Sequence, residues 1–406
     1  MMQSRIRKAC CLAGLAVLLL GGVFSSNKAL AATTGDWTGA KKAVITAYKN
    51  YQTEVDVTDY NLNYKTEYDS LKSMMSQVVN ETPYLFYTAT SYTVSRNSST
   101  NQIVKIGLGY TEDYKKADGT VRKTKIKNTR IKLDAAIDEA LSCVEPSMTK
   151  VEKAMVLHDY LVSHTTYAKN SAKQSRLTEV GAFINKKANC QGYSLAYAIL
   201  MEKVGIPVQY VSSEEISHVW NLIKIGGKWY HVDVTWDDPV DANESLDQYG
   251  LVKHNNFLCS SARMQKTGHS GFDTSLADST KYDTKYWKNV TSAFSYQDGK
   301  WIYMAKDGVT ERDKLVGGTK KTVYNVTGKN LVPFVEGKYY FIAYNSIYLY
   351  DYQSNTATAV WKASQKYSDE YSLTQLKYSN GYVYYRMLYG NRHVNGKLKV
   401  QEDGTI

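Results

Sequence analysis

The side chains best suited to covalent chemistry crowd into one stretch of this 406-residue chain, "ISHVWNLIKIGGKWYHVDVTWDDP", residues 216–239. It carries three of the seven tryptophans, two of the seven histidines and three aspartates. Gly226-Gly227 reads as a two-residue hairpin turn, which sets Ile225 opposite Lys228, His218 opposite Thr235 and Trp220 opposite Asp233. On that register His218 and Asp233 are diagonal neighbours on one face, within side-chain reach. A carboxylate beside an imidazole fixes its tautomer and stabilises its protonated form, which suits proton transfer. Trp220, Leu222, Trp229 and His231 share that face, while Val219, Ile223, Ile225, Val232 and Val234 point into an aliphatic layer. Trp220 and Trp229 read either as a water-excluding wall at a site or as ordinary core. His231 is the rival base; the diagonal with Asp233 favours His218.

A general base needs a nucleophile, and Cys190 is the candidate. Asn189 is a favourable N-cap, so Cys190 falls in the first turn of a helix, where the dipole favours a thiolate. Gly192 allows another chain or a substrate to approach closely. The Gln191 backbone N–H is a natural donor to a developing oxyanion. Cys143, ending "LDAAIDEALSC", and Cys259, in "NNFLCSS", read instead as small buried hydrophobes.

"ANCQGYSLAYAILMEKVGIPVQYV", "SHVWNLIKIGGKWYHVDVTWDDP" and "FLCS", in that order, resemble the transglutaminase-like superfamily, in particular its secreted bacterial members. The resemblance covers about residues 150–270. "NCQGYS" stands where many members read V-C-E-G-Y-A. The resemblance implies a papain-like α+β fold with Cys190 as nucleophile, His218 as general base and Asp233 as its orienting partner. It also implies a site tyrosine at Tyr167, with Gln191 and Tyr167 as the oxyanion-hole candidates. The chemistry would be attack of sulfur on a protein or peptide amide, a thioester, and transfer to an amine or to water. A peptidase of the same fold and a catalytically silent wall-binding scaffold are the alternatives.

Around this core the chain divides into a leader (1–31), an N-terminal α+β region (32–145), the catalytic segment (146–270), a linker (271–289) and a β-rich, tyrosine-rich region (290–406). The leader has a basic head at Arg5, Arg7 and Lys8, a short apolar run, and a small-x-small pattern ending at Ala31, as in an export signal. In the N-terminal region "WTGAKKAVITAYKNY" and "EYDSLKSMMSQVV" have helical spacing, with Tyr68, Leu71, Met75 and Val78 on one face. "YLFYTAT", "SYTVSR" and "QIVKIGLGY" read as strands. "VRKTKIKNTRIKL" reads as an edge strand with Lys123, Lys125 and Lys127 on its solvated face. Thr149 and Glu152 form a capping box for a helix; further helices start near Thr178 and at Cys190. "DGKWIYMAKDG", "EGKYYFIAYN" and "NGYVYYRMLYG" begin at residues 298, 336 and 380, a repeat of about forty residues that suggests blade-like antiparallel units, too few to close a propeller.

Composition bounds the rest. A 43% hydrophobic and 22% charged chain builds cores and is not disordered. Without the leader's four basic residues, 46 basic remain against 39 acidic, a net charge of +7. Such a chain can contact an anionic wall polymer, through the aromatic faces of its C-terminal region, while export disfavours nucleic acid. Three cysteines beyond the leader make no disulfide framework. With no C-x-x-C, H-E-x-x-H or EF-hand loop, neither a metal nor another cofactor is expected.

Overall fold

The computed structural model describes residues 35–168, 173–240, 247–335, 337–364, 371–390 and 392–406. The expected export leader lies outside them. Among the described residues no helix is long and apolar enough to cross a membrane.

The N-terminal region is built from α1 (Trp37–Lys49), β1 (Glu54–Asp56), α2 (Tyr68–Glu81), β2 (Thr88–Arg96), β3 (Ile103–Tyr110) and α3 (Lys123–Leu141). The three strands form an antiparallel sheet in the order β1-β3-β2. "YLFYTAT" and "SYTVSR" are not two strands; their residues from Thr88 to Arg96 run on as one, β2. The basic segment expected as an edge strand is also different: it opens α3. Its lysines alternate, but its apolar residues do not. Ile126, Leu133, Ile137 and Ala140 are buried at helical spacing, and burying that stripe outweighs the local alternation. In α2 the buried face is Leu71, Met74, Met75 and Val78, and Tyr68 is left exposed.

The central region contains α4 (Lys150–His164), β4 (Thr166–Tyr167), α5 (Glu179–Phe183), β5 (Lys187–Ala188), α6 (Cys190–Lys203), β6 (Val208–Ser213), β7 (His218–Ile225), β8 (Lys228–Val232), α7 (Val234–Asp237), β9 (Phe257–Cys259) and α8 (Ser261–Lys266). The capping box is present in full: Thr149 Oγ1 accepts from Glu152 N, and the Glu152 carboxylate accepts from Thr149 N at 2.8 Å. α6 is the central helix. Every residue from Cys190 to Met201 is buried, as expected for a helix that is apolar all round. It packs along β7, one of the two inner strands of the antiparallel sheet β6-β7-β8-β9. The hairpin register holds from Ile225↔Lys228 to Asn221↔Val232. Its two faces separate as the sequence implies: Ile223, Ile225 and Val232 enter the main core, while Trp220 and Leu222 pack with Cys259 and Met264 on the other side.

The C-terminal region is all β: β10 (Ser295–Gln297), β11 (Lys300–Ala305), β12 (Gly308–Arg312) and β13 (Lys320–Asn325); β14 (Lys329–Val335), β15 (Lys338–Ala343), β16 (Ser346–Asp351) and β17 (Thr356–Lys362); β18 (Ser372–Ser379), β19 (Tyr382–Tyr389) and β20 (Arg392–Lys399). These are three antiparallel meanders, each in chain order. The repeat has a local cause. Gly299, Gly337 and Gly381 sit at φ +76, +72 and +74 in the first hairpin turn of each sheet, a conformation that favours glycine there.

Residues 271–289 are not a free linker. Trp287 is fully buried, and Tyr282 and Ala277 nearly so. Apolar side chains of that size are drawn into the core rather than left in water. One hydrophobic cluster runs from Ala40 through the central helices to Leu315, in the turn between β12 and β13 of the first C-terminal sheet. Trp301 Nε1 donates to Glu152 at 3.1 Å, tying that sheet to the capping box of α4.

Candidate active site

The site forms where the start of α6 meets the start of β7 and the end of β8. Asn189 is extended and its side chain accepts from Gly192 N at 3.3 Å, so the helix begins at Cys190. Asn221 Nδ2 donates to Ser194 O and Ser194 Oγ donates to Val219 O, which fixes α6 along β7. This packing sets the Cys190 thiol beside the His218 imidazole, close enough for the two groups to interact electrostatically. His218 Nε2–H donates to Asp233 Oδ2 at 2.7 Å, so Nδ1 is the ring nitrogen left for sulfur. All three residues are buried, Cys190 at 6% exposure and Asp233 at 0%.

Asp233 arrives by a route other than strand pairing. β8 ends at Val232, and the expected pairs His218–Thr235 and Trp220–Asp233 do not form. Asp233 instead caps α7: its Oδ1 accepts from Trp236 N at 3.1 Å, and its own N–H donates to Asn256 O. An aspartate at a helix start satisfies an otherwise orphaned amide. That cap fixes the carboxylate and turns its other oxygen toward His218. His269, from the loop after α8, occupies the same oxygen, its Nε2–H donating to Asp233 Oδ2 at 2.8 Å.

The charges follow. Burial opposes a charged His218, but the charge and hydrogen bond of Asp233, together with Cys190, outweigh it and raise the imidazole to about 10. Burial would push Asp233 up, yet His218 and His269 hold its carboxyl far below the usual range. The rival His231 is oriented after all, but structurally. Trp220 Nε1 donates to its Nδ1 at 3.0 Å and its Nε2–H lies 3.0 Å from Ser261 Oγ. Burial, reinforced by the charge of His269, pushes it down to about 3. Both ring nitrogens are engaged, so it cannot serve as a mobile base.

The aromatic surroundings differ from expectation at one position. Trp220 stacks on His218 at a centroid distance of 5.6 Å. Trp229 pairs with Lys224 near the turn, about 20 Å along the strand from His218, and is no part of the site. Its place is taken by Trp236, which stacks on His218 at 5.2 Å and lies against His269 at 3.9 Å. The strand period marked Trp229 but could not place Trp236, which sits in a helical turn.

The oxyanion candidates are placed unequally. The Gln191 N–H is a first-turn donor of α6 that the Asn189 cap does not use, and the Gln191 side chain donates to Asn80 O at the end of α2. Tyr167 pairs with Ala188, just ahead of Cys190, and acts electrostatically on Tyr193. Tyr193 donates to the buried Asp238 at 2.5 Å.

Two buried groups have the composition of a metal site: His218, Asp233 and His269, and His158, Asp159 and His254. In both, one carboxylate oxygen accepts from two imidazoles: Asp233 Oδ2 in the first, and Asp159 Oδ1, at 2.8 and 3.0 Å, in the second. His158 also reaches Asp237 at 3.2 Å. The crowded hairpin is thereby explained: His231, Asp233, Trp236, Asp237 and Asp238 each have a buried or stacked partner that offsets the cost of placing them.

Residues 139–234 match the family model described as the Transglutaminase-like superfamily. The chain contains a transglutaminase-like domain. This matched segment includes Cys190, His218 and Asp233 and ends before Trp236 and His269. Among solved structures, a TGase crystal structure aligns at 19% identity over 36% of this chain and 44% of that one, with a TM-score of 0.24. A structure of S. cerevisiae Dbp5 bound to Nup159 and the N-terminal domain of Nup159 each align at 8% identity over 45% of this chain and 42% of theirs, with TM-scores of 0.22. The chain thus spans less than half of each, and scores this low carry no structural argument. No curated protein matches the chain. The transglutaminase-like core, flanked by an α+β region and an all-β region, is the fold of this protein.

Proposed function

We propose that the protein is a cysteine enzyme that acts on protein or peptide amides through a thioester on Cys190. The observation that carries this reading is one line of side chains: the Cys190 thiol at a helix start, the His218 imidazole beside it, and the buried Asp233 carboxylate that His218 hydrogen-bonds. Sulfur attacks the amide carbon, and the Gln191 N–H is the donor nearest to hand for the oxyanion. The C–N bond breaks as His218 Nδ1–H gives its proton to the departing amine, leaving a thioester. A primary amine or water then attacks the thioester and passes its proton to His218, and the C–S bond breaks to regenerate the thiolate. Trp220 and Trp236 on the imidazole limit the access of water, which favours an amine acceptor.

A leader-like sequence over the first 31 residues supports a cell-surface location for this chemistry, and the net basic charge suits an anionic wall polymer as a second partner. The full chain, supplied with a glutamine-containing peptide and dansylcadaverine, should incorporate the amine, and Cys190→Ala should abolish this. Ammonia release without incorporation would reassign the enzyme as a hydrolase. Neither product from any amide, with Cys190 alkylated no faster than Cys143 or Cys259, would overturn the proposal.

A further inference from the structure

Asp233 Oδ2 serves two imidazoles, and the hydrogen bonds around the second define its charge. His269 is 1% exposed. Its Nε2 lies 2.8 Å from Asp233 Oδ2, so this nitrogen must carry a proton. Its Nδ1 lies 3.3 Å from Thr267 Oγ1. The Thr267 hydroxyl spends its own proton on Met264 O at 2.9 Å, so toward His269 it can only accept. Nδ1 must therefore carry a proton as well. With both nitrogens protonated, His269 is an imidazolium, buried beside the carboxylate that orients His218. The rings of His218 and His269 are 5.9 Å apart, and Trp236 stacks on His218 and lies tilted against His269.

We propose that His269 is a positioning residue whose imidazolium shares the charge of Asp233 and thereby sets the pH range over which His218 stays protonated against Cys190. The inference rests on the proposed role of Cys190, His218 and Asp233. With a thiolate on Cys190, the four groups carry two negative and two positive charges, a neutral set that can be buried together. Without His269 the set carries a net negative charge, and His218 would hold its proton to higher pH. The groups facing His269 are Asp233 from α7, His218 from β7 and His231 from β8. Glu215, in the turn before β7, bonds the adjacent Ser270 at 3.0 Å. His231 is held neutral, and the depression of its pKa by the charge of His269 agrees with the imidazolium assignment.

The test compares the wild-type chain with His269→Gln, which keeps a side-chain N–H for Asp233 but removes the charge. Two readouts are needed: the pH dependence of Cys190 alkylation by iodoacetamide, and the NMR titration of His218. In H269Q the His218 midpoint should move up by about one pH unit, with the alkylation profile moving alongside it. A folded H269Q with an unmoved midpoint overturns the proposal, even if its rate or stability falls. Should H269Q not fold, ring-nitrogen NMR of the wild type decides. Two protonated nitrogens on His269 near pH 7 support the proposal, and one overturns it. Neither NMR readout depends on turnover. An inactive enzyme with a shifted His218 would sink the functional reading alone, and an active enzyme with an unshifted His218 would sink this one alone.

Discussion

Raising the pH should weaken the fold, and the reason is His158. This imidazole is fully buried, with Nδ1 donating to Asp159 at 2.8 Å and Nε2 donating to Asp237 at 3.2 Å. Burial disfavours its charged form, but the two carboxylates outweigh burial and raise it to about 9. In the unfolded chain it titrates near 6.5. Because the folded value is the higher one, the stabilisation is fully present below about pH 6.5 and is lost as the pH rises through about 9. At about 1.4 kcal/mol per pH unit, the full loss is about 3 kcal/mol. His218, raised to about 10, acts in the same direction, whereas Glu179, raised by burial to about 7, has lost its contribution by neutrality. The comparison is therefore urea unfolding from about pH 7 to about pH 9.5 for the wild type and for His158→Gln, which removes only the His158 share. The wild type should lose about 2 kcal/mol more than the variant across that window, because the unfolded imidazole is already mostly neutral at about pH 7. Parallel slopes would refute the reasoning. If the variant does not fold, a wild-type stability that is flat or rising with pH refutes it equally.

Three further outcomes follow from the site. Asp233→Asn retains an acceptor for Trp236 N but removes the charge that holds His218 up; burial then governs, the imidazole drops below its ordinary range, and alkylation of Cys190 near neutral pH should slow by at least about tenfold, as read by mass spectrometry. Gly192→Ala would set a Cβ 2.6 Å from Arg176 O and 2.9 Å from Thr178 O; both are backbone atoms, so a loss of roughly 1–3 kcal/mol is expected in thermal unfolding. Asn189→Ala removes the α6 cap and should cost about 1 kcal/mol by chemical denaturation, recovered by Asn189→Asp.

The sequence was most legible where one local rule decided the outcome. The glycine pair at 226–227 set the β7–β8 register from Ile225↔Lys228 to Asn221↔Val232. Asn189 announced the start of α6. Legibility failed where a longer range governed. Asp233 reads by period as a strand residue but acts as a helix cap, because Asn256 draws its amide away from the ladder. The cap preference of aspartate was the available signal. His269 comes from a loop after α8 and reaches Asp233 only through the folded chain, so no spacing rule could have found it. Lys123, Lys125 and Lys127 imitate a strand face until the apolar residues downstream are counted. Trp229 shares a sheet face with Trp220, but position along a strand matters as much as face.

The joint between α4 and the first C-terminal sheet has a consequence for any protease that meets this protein. Phe294 N donates to the buried Asp159 at 2.7 Å, and His254 Nδ1–H to Val290 O at 3.1 Å. A cut near residue 290 that let the distal part drift away would strip a donor from a sequestered anion and open the socket around Trp287. The helix that carries Asp159 would loosen, and α6, which begins at Cys190, leans on it. On the proposed function, trimming would therefore extinguish the activity instead of liberating it.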